Sequence, residues 1–431
     1  MELLTDNPIT LIKDDKFGFD SYATALKVAI LRAEPLPLCV GILGAWGSGK
    51  SSFMYLLKGL IEEEAKKSSD KKIETIWFNP WKYDQKEDLW NALIQTVLNS
   101  IIASETIKPG IRETAKNLAL ATTWLALKKA IPAVTAGVVS AENLDKIVEA
   151  FNKKDEKYFS HINTFEEDFT RVVKDFTNDG KLVIFIDDLD RCLPENAITV
   201  LESLKLFIGN AHCIFVLGMD HSIIEAGIKI RYGDKTLITG RDYLDKIVQV
   251  PFFLPSVFYD KLKDSLSKEA AFSEEVWDII RMGMGGNPRK TRRFVNSFYL
   301  LQSFLNQPDQ VLQKQMQTDT FLALSPEEQN LHLARMLVFQ ISFPKFYQQL
   351  QLFPGDWAYL NKFVIQANGP DRAGTLKERP ELEQFWEDKS LTTFISNTSG
   401  DRYKGVPRSE IVEQLLKATN LVTASPTTSH A

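Results

Sequence analysis

An unbroken apolar run, Leu38-Cys-Val-Gly-Ile-Leu43, stands directly ahead of a glycine-rich stretch. A run this short, closed by a turn signal, predicts a strand buried on both faces. The period then changes. From Lys50 the apolar positions Phe53, Met54, Leu57, Leu60 and Ile61 recur at helical spacing, and Ser68-Ser-Asp70 closes the segment as a turn. Ile73 to Phe78 alternates toward a second strand, and Trp81 to Leu98 reads as a helix. Residues 103–160 carry mixed helical signals and no strand. Lys181 to Ile186 is a third strand that opens into an acidic cluster. Pro194 to Ile208 reads as a helix, with Pro194 and Glu195 suited to its first turn. His212 to Gly218 and Ile247 to Leu254 supply the last two strands. Strands alternating with helices predict an α/β fold, a parallel sheet covered by helices on both faces.

After Pro255 the pattern is helical only. Ser273 suits the cap of a helix that starts with Glu274 and Glu275, and Asn287-Pro288 opens another that runs to about Phe304. Residues 318–420 read as helices with aromatic-rich connections, and no internal repeat appears. The expected organisation is a core over 1–255 with a helical insertion at about 100–165, a small helical lid over 256–305, a helical C-terminal region over 306–423, and a flexible tail over 424–431.

Composition changes this picture little. The 431 residues are 44% hydrophobic and 25% charged, enough for two or three units with ordinary cores. A formal net charge of −5 argues against general nucleic-acid binding. Cys39, Cys192 and Cys213 are odd in number and lack a ligand spacing, so they read as reduced thiols of a cytoplasmic protein. The N-terminus has neither the basic start nor the apolar stretch of a signal peptide. Leu118 to Val139 is apolar but interrupted by Lys128, Lys129 and Pro132. A lysine at the centre of a span costs ~2.5–3.5 kcal/mol on insertion, so a buried or interfacial helix pair is expected there and membrane contact is not favoured.

The chemistry lies where strands end. Gly44-Ala45-Trp46-Gly47-Ser48-Gly49-Lys50-Ser51 fits a phosphate-binding loop, set between a buried strand and an amphipathic helix as that loop requires, and Ser52 continues it. Its backbone N–H groups would cradle phosphates, Lys50 would reach the β- and γ-phosphates while contacting little else, and Ser51 would offer a hydroxyl to Mg2+. The helix N-terminus adds a positive field at the same point. Asp187 and Asp188 follow the third strand; Asp187 is expected in the Mg2+ shell, and Asp188 orients or deprotonates the attacking water. Asp190 caps the next helix or positions Arg191, and both are candidates for catalysis. Asp220, at the end of the fourth strand, either hydrogen-bonds near the γ-phosphate or caps a helix. Arg289, with Lys290, Arg292 and Arg293, crowds the first turns of a helix, where cations oppose the helix dipole and an anion would relieve the conflict. Arg241 and Arg191 are candidates for an arginine donated by a neighbouring subunit. Asn152-Lys-Lys-Asp155 matches a guanine reader but precedes the acidic strand instead of following it, so ATP is expected over GTP.

In this order the features resemble the KAP family of P-loop NTPases. The resemblance runs from Asn7-Pro-Ile9, Phe17-Gly-Phe19 and Tyr22-Ala23 through the loop and Trp77-Phe-Asn-Pro-Trp81-Lys-Tyr83. It continues with Asp187-Asp-Leu-Asp-Arg191, Tyr243 to Gln249, Pro251 to Pro255, and Gly286-Asn-Pro-Arg289 with Arg293 and Asn296. It implies an additional-strand ATPase core related to the AAA and STAND groups. It also implies a lid closing over ATP and Mg2+, and transmembrane helices in many members between loop and acidic strand, from which the Lys128-Lys129 interruption departs. The expected function is ATP binding and hydrolysis that drives a conformational switch, in phage interference or signalling assembly. An unidentified protein partner and a homo-oligomer are compatible with that reading. The alternatives are an ATP-binding scaffold with little turnover and a DNA-associated motor, for which Arg281 to Arg293 is the sequence support.

Overall fold

Five strands, β1 (Leu38–Leu43), β2 (Ile73–Phe78), β3 (Lys181–Ile186), β4 (Cys213–Met219) and β5 (Val250–Phe253), form one sheet in the order β2-β3-β4-β1-β5. Every pairing is parallel. The chain thus passes from β1 over two strand positions to the edge and returns inward, leaving β4 inserted between β1 and β3. The three interior strands are buried almost end to end, which is why they read as apolar runs instead of alternating ones. β5 alternates half-buried and exposed positions and carries Pro251, which an edge strand tolerates because it needs no donor on its outer side.

The computed structural model describes residues 3–67, 72–83, 89–105, 107–134, 158–208, 212–233, 239–267, 270–306, 320–365 and 379–422. One face of the sheet is covered by the helices Leu89–Ala103, Tyr158–Thr177 and Pro194–Ile208, whose Leu93, Val97, Val173, Leu201 and Leu204 share a core with Leu182, Ile184 and Phe215. Of the stretch expected to hold a helix pair, 118–139, residues 118–134 belong to one helix, Pro109–Val134, continuous through Lys128 and Pro132; the remainder lies outside the described residues. No helix among the described residues is long and apolar enough to cross a membrane. The expected strand at 247–254 shortens to Val250–Phe253. Its first residues close the turn after the helix Gly240–Leu244, with the amides of Ile247 and Val248 both donating to the Leu244 carbonyl. The helix expected from Trp81 begins at Leu89, because Pro80–Tyr83 forms a 3-10 turn. All three cysteines are buried, and none forms a disulfide.

The chain divides into two compact units, residues 8–255 and residues 1–7 with 256–431. The N-terminal segment joins the second unit through a reciprocal pair: the Leu4 amide donates to Asn296 Oδ1 and Asn296 Nδ2 donates to the Leu4 carbonyl, each at 2.8 Å. In that unit the helices Glu274–Met284 and Pro288–Asn306 pack with Pro326–Ser342. Ser273 caps the first by accepting from the Val276 amide, and Asn287 Oδ1 accepts from the Lys290 amide at the start of the second.

This helical unit contains a fully buried guanidinium. Arg335 Nη1 donates to the carbonyls of Thr398 and Gly405 at 2.7 Å, Nη2 donates to His332 Nδ1, and the group lies over the Trp357 ring. His332 accepts that bond only as a neutral imidazole. Burial, then the Arg335 charge, pushes its pKa down to about 3. The unfolded chain takes up this proton near pH 6.5 and the folded chain does not, so the contribution is present above pH 6.5 and is lost as pH falls toward 3. His332→Gln, which keeps an acceptor and cannot titrate, should remove about 2 kcal/mol of the stability lost between pH 6.5 and 5, read by denaturant unfolding at each pH.

Candidate nucleotide site

β1 delivers the chain into the loop 44–49, and the helix Lys50–Ala65 leaves it. Gly47 and Gly49 have φ of 82° and 104°, the left-handed region where side chains are strained, so the glycines let the loop curl. Trp46 at the loop tip is exposed, while the Ser48 hydroxyl is buried and has no hydrogen-bond partner. A buried hydroxyl left unpaired is costly, which marks this position as one that a ligand would satisfy.

Lys50 is buried, and its ammonium is not held for a ligand alone. Nζ donates to the carbonyls of Gly44 (2.9 Å) and Ala45 (3.3 Å) and pairs with Asp190 Oδ2 at 2.7 Å, both side chains being only 6% exposed. Asp190 therefore does not cap the following helix. It sits in the 3-10 turn Leu189–Arg191 and reaches back to the loop lysine. Ser52, expected at the phosphates, uses its hydroxyl to accept from the Ile9 amide at 3.2 Å.

The Ser51 hydroxyl is near enough to Asp187, one position beyond β3, to favour that residue's charged form. That carboxylate is buried. Its pKa is raised to about 6, first by burial and then by the neighbouring Asp188 charge, with the Ser51 hydroxyl and the Asp188 amide opposing and Asp190 adding to the rise. A divalent cation between Ser51 and Asp187 would relieve this field. One carboxylate and one hydroxyl suit Mg2+, which keeps waters and takes its remaining oxygens from phosphates. No group of three or more His, Cys, Asp or Glu stands ready for a metal among the described residues, so an all-protein cage is not what this chain offers there.

Asp188 adopts φ 61° and is gripped at both oxygens: Arg191 Nε pairs with Oδ1 at 2.7 Å and Asn79 Nδ2 donates to Oδ2 at 2.6 Å. The Arg191 guanidinium also lies 5.3 Å from the centre of the Trp81 ring. Asn79 was not among the expected site residues. Its signal was positional: it follows β2 as Asp187 follows β3, and with Phe78 in register with Ile186 the two strand ends lie side by side. Asp220 takes one of the two roles anticipated for it, the helix cap, and adds a bond to the loop. Oδ1 caps the next helix by accepting from the Ser222 amide, and Oδ2 accepts from the Trp46 amide at 3.0 Å, tying down the loop tip.

Two further expected residues stand on other elements. Arg241 is exposed on the short helix Gly240–Leu244. Arg289 belongs to the other unit, where it pairs with Asp6 at 3.4 Å. The guanine-reader match at 152–155 lies outside the described residues.

A strand-loop-helix with a buried lysine, next to an acidic strand end one strand removed, defines a P-loop NTPase core. The model of the KAP family P-loop domain matches residues 19–305, and the chain belongs to that family. An uncharacterized protein of Methanocaldococcus jannaschii is 26% identical over 158 residues, 30% of this chain and 81% of that one. The human kinase D-interacting substrate of 220 kDa is 41% identical over 70 residues, 16% of this chain and only 4% of that protein. Among solved structures, the Aeropyrum pernix ORC1 protein in complex with DNA aligns at a TM-score of 0.35 and 11% identity, covering 97% of this chain and 85% of that one. The Aeropyrum pernix ORC2 protein in ADPNP–ADP complexes aligns at 0.33 and 13%, covering 88% and 93%.

Proposed function

We propose that this chain binds ATP with Mg2+ at residues 44–52 and Asp187, hydrolyses it, and uses hydrolysis to reset a conformational switch. The observation that carries the reading is the meeting of Ser51 with Asp187 beside the buried Lys50. In this reading the loop amides and the helix N-terminus hold the phosphates, and Lys50 turns from the Gly44 and Ala45 carbonyls to the β- and γ-oxygens. Ser51 and Asp187 hold Mg2+, which when bound neutralises charge on those phosphates. Asp188 orients the water, and Asn79 and Arg191 set the direction of its carboxylate. Asp220 fixes the loop tip through Trp46.

The wider role follows from the family and is a proposal of the same kind: a switch in phage interference or in assembly of a signalling complex, acting through a protein partner. Arg191 is engaged on its own chain, so Arg241 is the better candidate for an arginine lent to a second copy. Arg289 and Arg292 spend contacts on Asp6 and Thr5, which weakens the reading of that cluster as a DNA surface. Two measurements separate the proposal from its rivals. Unlabelled ATP should displace a bound fluorescent ATP analogue at a concentration at least about tenfold below that required of GTP, one decade being about 1.4 kcal/mol of preference. Equal potency would return Asn152 and Asp155 to the site. Steady-state phosphate release from ATP then distinguishes a hydrolase from a scaffold that holds nucleotide without turning it over.

A further inference from the structure

β1 and β3 are not neighbours, because β4 lies between them. Ser51 follows β1 through the loop and Asp187 follows β3, so the approach of the two side chains crosses two strand spacings, about 9–10 Å of sheet. A side chain on β4 at that level would stand in the way, and the residue there is Gly218. It pairs with Ile42 of β1 and comes one position after Leu217, the partner of Ile186. A Cβ placed on Gly218 would lie 2.9 Å from Asp187 Oδ1 and 2.6 Å from Met54 Sδ, both closer than real Cβ contacts come. The glycine is not there for its backbone angles, since Gly218 is absent from the positive-φ positions. A glycine inside a strand of Ile, Phe, Val, Leu and Met weakens that strand, and a close approach is the usual reason to keep one.

We propose that Gly218 is a positioning residue of the nucleotide site: the side chain missing from β4 is the passage through which Asp187 lies against Ser51, and it sets the Mg2+ side of the site. The inference rests on the Mg2+–ATP reading above and assigns it a residue within β4, the strand that leads into Asp220. Met54 meets the added methyl with the far end of a flexible thioether, which can swing aside, so Gly218→Ala should fold. Asp187 cannot yield without leaving Ser51.

The test is the Mg2+ dependence of ATP binding, followed by a fluorescent ATP analogue, with thermal unfolding in parallel. For Gly218→Ala the melting temperature should stay near that of the wild type, and affinity in EDTA should stay within about twofold. The Mg2+ concentration for half-maximal binding should rise at least about tenfold, a decade being about 1.4 kcal/mol. Met54→Val removes the other close contact, and adding Gly218→Ala to it should shift the Mg2+ midpoint by the same factor relative to Met54→Val alone. An unchanged midpoint in Gly218→Ala, or a shift that vanishes in the Met54→Val background, overturns the proposal and leaves the glycine a packing residue for Met54. So does a double variant that fails to fold where Met54→Val folds. Failure of the underlying reading looks different, because the wild type itself would then show no Mg2+-dependent binding.

Discussion

Lys50→Ala should abolish nucleoside triphosphate binding, and it should also loosen the unit that carries the loop. The first effect follows from the loss of the loop's own cation, proposed to reach the phosphates. The second was not expected from sequence, where Lys50 was taken to contact little besides ligand. Its ammonium in fact pairs with Asp190, both side chains being only 6% exposed, and donates to two loop carbonyls. Removing one partner of such a pair leaves the other charge buried and uncompensated, a loss of about 3–5 kcal/mol. Titration with a fluorescent ATP analogue reads binding, and denaturant unfolding reads stability. Lys50→Ala combined with Asp190→Asn should recover most of the stability and none of the binding. Wild-type affinity in Lys50→Ala would sink the phosphate-loop reading. Unchanged stability would mean that the Lys50–Asp190 pair is not formed in solution.

Asp188→Asn should leave ATP binding at or slightly above the wild-type level while turnover falls about 10²-fold or more, the scale of a positioned general base. The amide keeps the size and removes the charge that Arg191 and Asn79 hold from either side. Binding improves slightly because a negative group beside the γ-phosphate is gone. Asp187→Asn should behave differently: Mg2+-dependent binding weakens, and raised Mg2+ partly restores it. Comparing phosphate release with ATP affinity in the same preparations makes the distinction. If Asp188→Asn hydrolyses ATP at the wild-type rate, the water is oriented by another group, and Asp190 is the next carboxylate to replace.

Much of the sheet was legible because its strands are buried on both faces. Runs such as Leu38–Leu43 and Lys181–Ile186 carry the apolar signal undiluted, and their ends coincide with β1 and β3. The edge strand was less so. Ile247 and Val248 are apolar because they pack under the core, not because they pair, and no single-chain pattern separates those two reasons. In the site, residue types adjacent in sequence were recognisable, as in 44–51 and 187–191. Partnerships made by the sheet were not. That Asp190 meets Lys50 depends on how the turn Leu189–Arg191 folds back. Asn79 reaches Asp188 through the β2–β3 register, and the space at Gly218 matters through the insertion of β4. Each requires strand order, which periodicity does not encode.

The most direct test of the central claim is retention of ATP radiolabelled at the γ-phosphate on the purified wild-type chain, with Mg2+ and with EDTA, counting bound nucleotide and freed phosphate in the same samples. A magnesium-dependent ATPase built on Ser51 and Asp187 should retain more nucleotide with Mg2+ than with EDTA and release labelled phosphate over time only with Mg2+. Equal retention in the two conditions, or retention with no phosphate released at any time, would contradict it.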